Sequence, residues 1–160
     1  QATTTLYVWS YVNILTIIKK EHREAAALLD QAVALEPNDA RISSLAKEIE
    51  AALSTHLEIE EKLFYARLRT RAEEEEERVD VFEAYTEHEV ARHLIDLLKS
   101  RRKRDARFKA ELQVLSESVK HHVEEEESTV FSLARKLIDK DELEALGVKW
   151  EKAKSLAQAK

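Results

Sequence analysis

The sequence predicts an all-α protein: an antiparallel up-down four-helix bundle with a short C-terminal helical extension. Three observations carry that prediction. Apolar residues recur with a 3.6-residue period along four long stretches. The 160 residues hold one glycine, Gly147, and one proline, Pro37, whereas a sheet protein of this size needs many tight turns built on such residues. Apolar residues make up 44% of the chain and charged ones 36%, which suits amphipathic helices around one core. This length makes a single domain, 1–160. The bundle falls at about 13–138, an apolar segment at 1–12 and the helical extension at about 140–157.

The first helix shows the stripe Leu15, Ile18, His22, Ala25, Ala26, Leu29, Val33, with Asn13 as its N-cap. The segment Glu36-Pro37-Asn38-Asp39 ends it and places Asp39 to cap the next helix. The second stripe is Ile42, Leu45, Ile49, Leu53, His56, Glu60, Leu63, Phe64. No Gly or Pro marks a turn in the run Glu73–Glu77 that follows, so one long continuous helix is an alternative there. The register of the polar residues described below favours a turn near Thr70–Glu73. The third stripe is Val81, Ala84, Tyr85, His88, Ala91, Ile95, Leu98, and the fourth is Leu115, Val119, His122, Glu126, Val130, Leu133, Leu137. A shorter piece starts near Asp141, interrupted around Gly147 and carrying Trp150.

Composition excludes several function classes. There is no cysteine, hence no disulfide, thiolate metal site, iron–sulfur cluster or thiol catalysis. The net charge of −6 argues against a nucleic-acid partner, and the basic run Arg101–Arg104 reads as a solvated loop between helices. No apolar run is long enough to span a membrane. Leu6–Ile18 carries Ser10, Asn13 and Thr16 with no basic flank before it, unlike a signal peptide. The chain starts at Gln1 and holds no Met, so a few starting residues are expected to precede it.

Six residues sit on apolar stripes where their polarity is costly unless satisfied: His22, His56, Glu60, His88, His122 and Glu126. The pairs His56/Glu60 and His122/Glu126 are each i, i+4, so both members project from one helix face. The histidine spacings are 34, 32 and 34 residues. Each histidine therefore lies roughly 21–25 Å along its helix from the connecting turns. In an up-down bundle this puts all four at one height, converging on one spot in the core. Imidazole and carboxylate without thiolate suit iron, manganese or zinc. Two carboxylates from alternate helices can bridge two cations while four imidazoles cap them two apiece. A dinuclear centre follows, with iron ranked before manganese or zinc. The alternative is a polar core network without metal. His93 and His121 read as surface residues, and Glu61 and Glu127 as facing solvent or neighbouring helices. Tyr65, Tyr85 and Phe64 lie within about a turn of the site, as packing, as the walls of a small-molecule pocket or as an electron relay.

The segments Ile17-Ile18-Lys19-Lys20-Glu21-His22-Arg23-Glu24, His56-Leu57-Glu58-Ile59-Glu60-Glu61, Glu87-His88 and His121-His122-Val123-Glu124-Glu125-Glu126-Glu127 resemble the hemerythrin-like, HHE cation-binding family over about Asn13–Lys152. The resemblance implies a four-helix bundle with an oxo- or hydroxo-bridged non-haem di-iron site, held by the same six residues. It departs from the oxygen-carrying worm hemerythrins at Arg92, four residues after His88, where their third helix supplies another histidine. That loss implies an added open or water-filled position on one metal and resembles the four-His, two-Glu branch. This branch includes bacterial proteins linked to repair of iron centres under nitrosative stress, which carry a cysteine-bearing segment that this chain lacks. The resemblance also implies a cytoplasmic setting. For Leu6–Val12 it favours an end cap on the bundle, the alternative being pairing with a second copy.

The expected function is binding or reaction of O2, NO or peroxide at a carboxylate-bridged di-iron site. An oxidase or peroxidase-like enzyme is one alternative, and iron storage or iron sensing another. Whether the chain turns a substrate over is left open at this stage.

Overall fold

The computed structural model describes residues 12–160. Most of the apolar segment expected to cap the bundle or pair copies, including Tyr7, Trp9 and Tyr11, lies outside the described residues. Five helices follow. α1 is Ile14–Ala34. α2 is Ile42–Glu60, which runs on through a π-helical turn at Glu61–Tyr65 into Ala66–Arg71. α3 is Glu75–Ser100. α4 is Ala106–Glu125, continuing through a second π-helical turn at Glu126–Val130 into Phe131–Leu137. α5 is Lys140–Gln158.

Short polar residues start three of these helices. The Asn13 side chain accepts the Thr16 N–H at 3.1 Å, Asp105 accepts those of Arg107 and Phe108 at 3.1 Å each, and Asp139 accepts that of Glu142 at 2.8 Å. Each satisfies backbone donors that a helix start leaves orphaned. Asp39 acts one step earlier than its expected cap role. It binds the Arg41 N–H at 2.9 Å and the Arg41 guanidinium, fixing the turn before α2. The break between α2 and α3 falls at Ala72–Glu74, next to its predicted place. Without Gly or Pro, it is made by Glu77, whose carboxylate accepts the N–H groups of Glu73 and Glu74 at 3.1 and 3.2 Å. Lys136 pairs with the other Glu77 oxygen at 2.6 Å, so part of the acidic run is a helix-starting device.

One expectation fails: Gly147 does not interrupt the last helix, and α5 passes through it unbroken. A helix tolerates one glycine at a cost of about 1 kcal/mol. Here the missing side chain has a use, since a Cβ would run into the Val12 carbonyl oxygen and press on Asn13 and Ile14. The glycine lets α5 lie directly on the chain entering α1.

Helix α1 packs against α2 and α4, and α3 packs against α4 and α2, closing the four-membered ring, while α5 lies across α1 and α2. The apolar side chains form two clusters. One gathers Ile18, Phe64, Leu68, Val81, Phe131 and Trp150, and the other Leu29, Ile49, Leu53, Ile95, Phe108 and Leu115. Each such side chain stabilises the fold by about 1.5–3 kcal/mol on full burial. The six polar stripe residues fall between the clusters, where every helix of the ring crosses one level.

Candidate metal centre

All six polar stripe residues are buried: His22, His56, Glu60, His88, His122 and Glu126. The fully buried Glu60 carboxylate places Oε2 3.2 Å from His56 Nε2 and 3.3 Å from His88 Nε2. Glu126 Oε2 lies 3.1 Å from His22 Nε2 and 3.4 Å from His122 Nε2. Each carboxylate thus stands between one histidine of α1–α2 and one of α3–α4. Two groups of donor atoms share Glu60, namely His22, His56, Glu60 and Glu60, His88, His122, with the atoms of each within 4.8 Å of one another.

These atoms meet without satisfying one another. His22 Nε2, His56 Nε2, both oxygens of Glu60 and Glu126 Oε2 are buried and have no hydrogen-bond partner. Such orphaned atoms are rare in a folded core, and several kcal/mol of desolvation cost attaches to unpaired buried charge. The donors converge on common space in the way expected of metal ligands, and two buried carboxylates with four imidazoles match iron, manganese or zinc.

The outer nitrogens show how the rings are aimed. His56 Nδ1 donates to Glu21 at 2.7 Å, His88 Nδ1 to Glu61 at 2.9 Å, His122 Nδ1 to Glu87 at 2.6 Å and His22 Nδ1 to Glu127 at 3.0 Å. Every outer carboxylate is the sequence neighbour of an inward-facing residue on the adjacent helix. Glu21 precedes His22, Glu61 follows Glu60, Glu87 precedes His88 and Glu127 follows Glu126. Neighbouring residues on a helix point about 100° apart, so each reaches towards the next helix round the ring. Antiparallel helices reverse that rotation, which is why the offsets alternate between before and after. Carboxylates on Nδ1 fix the tautomer and turn Nε2 inwards.

Glu61 and Glu127 therefore do face neighbouring helices, as predicted, but as hydrogen-bond acceptors for histidines. A glutamate directly beside His22, Glu60, His88 and Glu126 was the available signal for all four. His93 and His121 are exposed, as expected. Arg92 does not point into the centre; its guanidinium binds Glu61 at 2.8 Å.

Tyr65 is the residue whose place the sequence left open. Its hydroxyl donates to Glu126 Oε1 at 2.8 Å and stands 3.1 Å from His88 Nε2 and 3.5 Å from His122 Nε2. The π-helical turn accounts for this. In an α-helix a residue five positions on is rotated by roughly 140°, and the wider turn returns it nearer the starting face. Phe64 is core, and Tyr85 packs edge-on to Tyr65. Phe131, five residues after Glu126, matches Tyr65 five after Glu60 but has no hydroxyl.

Ionisation in the metal-free protein follows from burial and charge. Burial resists charge on His56, but Glu60 and the bond to Glu21 outweigh it and raise its pKa to about 10. Burial likewise resists charge on His122, and Glu126 and Glu87 lift it to about 10. Burial and the nearby Glu126 push Glu60 up, yet His56 and His88 hold it below its ordinary value. Glu126 is held well below the usual carboxylate range by His122 and His22, against the effect of burial. Burial, Glu126 and Glu60 push the Tyr65 phenol well above its ordinary value, so it keeps its proton.

Comparison with known proteins places this arrangement. The family model described as the hemerythrin HHE cation binding domain matches residues 13–134. A DNA nickase from Nostoc sp. (strain PCC 7120 / SAG 25.82 / UTEX 2576) is 28% identical over 148 residues, covering 92% of this chain and 40% of the nickase. The chain thus spans less than half of that relative. The crystal structure of a hemerythrin HHE cation binding domain-containing protein, the Rv2633c homolog from Mycobacterium kansasii, superposes with a TM-score of 0.78 at 21% identity. That match covers 92% of this chain and 89% of the other.

Proposed function

The chain belongs to the hemerythrin HHE cation-binding family, and from that premise we propose that it is a non-haem di-iron protein whose core binds or reacts with O2, NO or peroxide. The observation that carries this reading is the set of buried nitrogens and carboxylate oxygens that converge without bonding one another. Cations between them would satisfy all of these atoms together. His22 and His56 would hold one iron and His88 and His122 the other, with Glu60 and Glu126 shared. Manganese or zinc fit the same donors and rank after iron. A bound iron pair supplies reversible electron transfer and coordination of a small ligand.

The chain's own residues would do the rest. Glu21, Glu61, Glu87 and Glu127 hold the imidazoles with Nε2 inwards. The two apolar clusters on either side keep bulk water away. The Tyr65 hydroxyl, now donating to Glu126, is a hydrogen-bond donor beside His88 and His122. A hydrogen-bond donor at this place can steady a bound oxygen or peroxide as charge builds on it, so this hydroxyl favours a second reading, a di-iron oxidase or peroxidase-like enzyme. Storage or sensing of iron has less support, because the donor set is a fixed cage for two ions.

A nucleic-acid partner is not part of this reading. Arg101 binds Glu111 and Arg104 stacks over Phe108 at 4.4 Å, which commits two of the four residues of the basic run internally and leaves Arg102 and Lys103 exposed. Among the described residues no helix is long and apolar enough to cross a membrane. A cytoplasmic setting, a single domain and pairing of copies through residues 1–12 belong to the same proposal. The test is to mix the reduced, iron-loaded protein with O2, NO or peroxide and follow its visible spectrum. A stable adduct supports binding, and peroxide consumption over many cycles supports the enzyme. No spectral response to any of the three would overturn the reading.

A further inference from the structure

Of the four outer carboxylates, Glu21 is held differently from the rest. Glu61 has Arg92 at 2.8 Å, Glu87 has the exposed His121 at 3.6 Å and Glu127 has Lys19 at 3.6 Å, all supplied by the four-helix ring. Their side chains are 20–24% exposed. Glu21 is 9% exposed, and its partners come from α5. The Trp150 indole N–H donates to Glu21 Oε1 at 3.3 Å, and the Lys154 ammonium binds the same oxygen. Oε2 takes the His56 Nδ1–H. Trp150 is fully buried, and its ring stands edge-on to the His56 ring with centroids 5.3 Å apart. Helix α5, Lys140–Gln158, lies beyond the 13–134 matched by the family model.

We infer that Trp150 and Lys154 are positioning residues for the half of the centre that contains His56, acting through Glu21, so that α5 makes the two metal positions unequal. The inference rests on the two-metal reading above. The physical reason is that a carboxylate fixed at both oxygens cannot swing, and the imidazole bonded to it then keeps its aim. His88 and His122 lack this control, because their carboxylates answer to Arg92 and His121, whose side chains are 40% and 67% exposed against 30% for Lys154, and take no bond from a buried donor such as Trp150. Glu21 is also sheltered enough for its charge-assisted bonds to be strong.

The test is titration of the metal-free protein with Co(II) against a competing chelator, with helix content and melting temperature measured for each variant. Trp150→Phe with Lys154→Met keeps an aromatic ring and an unbranched apolar chain at the two positions and removes both donors. The expected result is that one of two Co(II) ions per chain binds about tenfold more weakly, with its visible band shifted, while the other is unchanged. Lys154→Arg should restore part of the loss. In a Glu21→Gln background, the same pair of substitutions should add nothing. Equal weakening of both ions, no weakening, or a loss that persists in the Glu21→Gln background would overturn the inference. Should the double variant fail to fold, Lys154→Met alone decides between the same outcomes. Wild-type protein that takes up no Co(II) would overturn the two-metal reading together with this one. Two ions bound alike in wild type and variants would overturn only this one.

Discussion

Tyr65 and Phe131 each stand five residues after a buried glutamate, Tyr65 closing one π-helical turn and Phe131 directly following the other, yet only Tyr65 brings an oxygen to the centre, 2.8 Å from Glu126 Oε1. The two halves of the bundle repeat the pattern His-x-x-x-Glu-Glu at His56–Glu61 and His122–Glu127. They differ at the atom able to donate a hydrogen bond.

Tyr65→Phe should therefore keep both metals while changing what the centre does with a small ligand. Removing one hydrogen-bond donor costs about 1–1.5 kcal/mol, which corresponds to about a tenfold faster loss of a bound adduct, or about a tenfold slower reaction with peroxide. Metal analysis beside stopped-flow absorbance checks this. Loss of metal in the variant would instead make Tyr65 essential to holding the ions.

The metal-free protein should lose stability as pH rises above neutrality. His56 and His122 are raised from 6.5 to about 10. A group whose pKa is raised by folding stabilises fully below its unfolded value and loses that effect as pH passes through its folded value. The decline should span about pH 6.5 to 10. Glu60 and Glu126 are lowered, so their stabilisation is present above 4.5 and is lost as the medium becomes more acidic. Melting temperature of chelated protein against pH should peak between about 4.5 and 6.5. Metal loading at pH 7 should release protons, because cations displace those on His56 and His122.

Gly147→Ala should destabilise the protein by about 1–3 kcal/mol, the usual cost of overpacking, through its collision with the Val12 carbonyl. Helix propensity alone predicts a gain of about 1 kcal/mol. The sign of the change, read by denaturant unfolding, separates the two effects.

The bundle was legible because four apolar stripes of matching length leave few other ways to bury themselves. The six inward residues were legible for the opposite reason: Glu60 and Glu126 on those stripes contradict the pattern unless something satisfies them. The outer carboxylates were harder to see, since Glu61 or Glu127 in sequence looks like any solvated glutamate beside others. Only the antiparallel arrangement turns each towards a histidine. Tyr65 was hidden by the assumption of regular α-helix, which places it away from Glu60 until the π-helical turn brings it back. Gly147 reads as a break from propensity and proves to be a contact, because its meaning depends on backbone more than 130 residues earlier in the chain.

The most direct test of the central claim is iron content and visible absorption of the reconstituted protein, before and after dithionite reduction and return to air. The account predicts two irons per chain and charge-transfer absorption that bleaches on reduction and returns on oxidation, with His56→Ala and His122→Ala each losing iron. A wild-type protein that remains helical under reconstitution but retains no metal would contradict it.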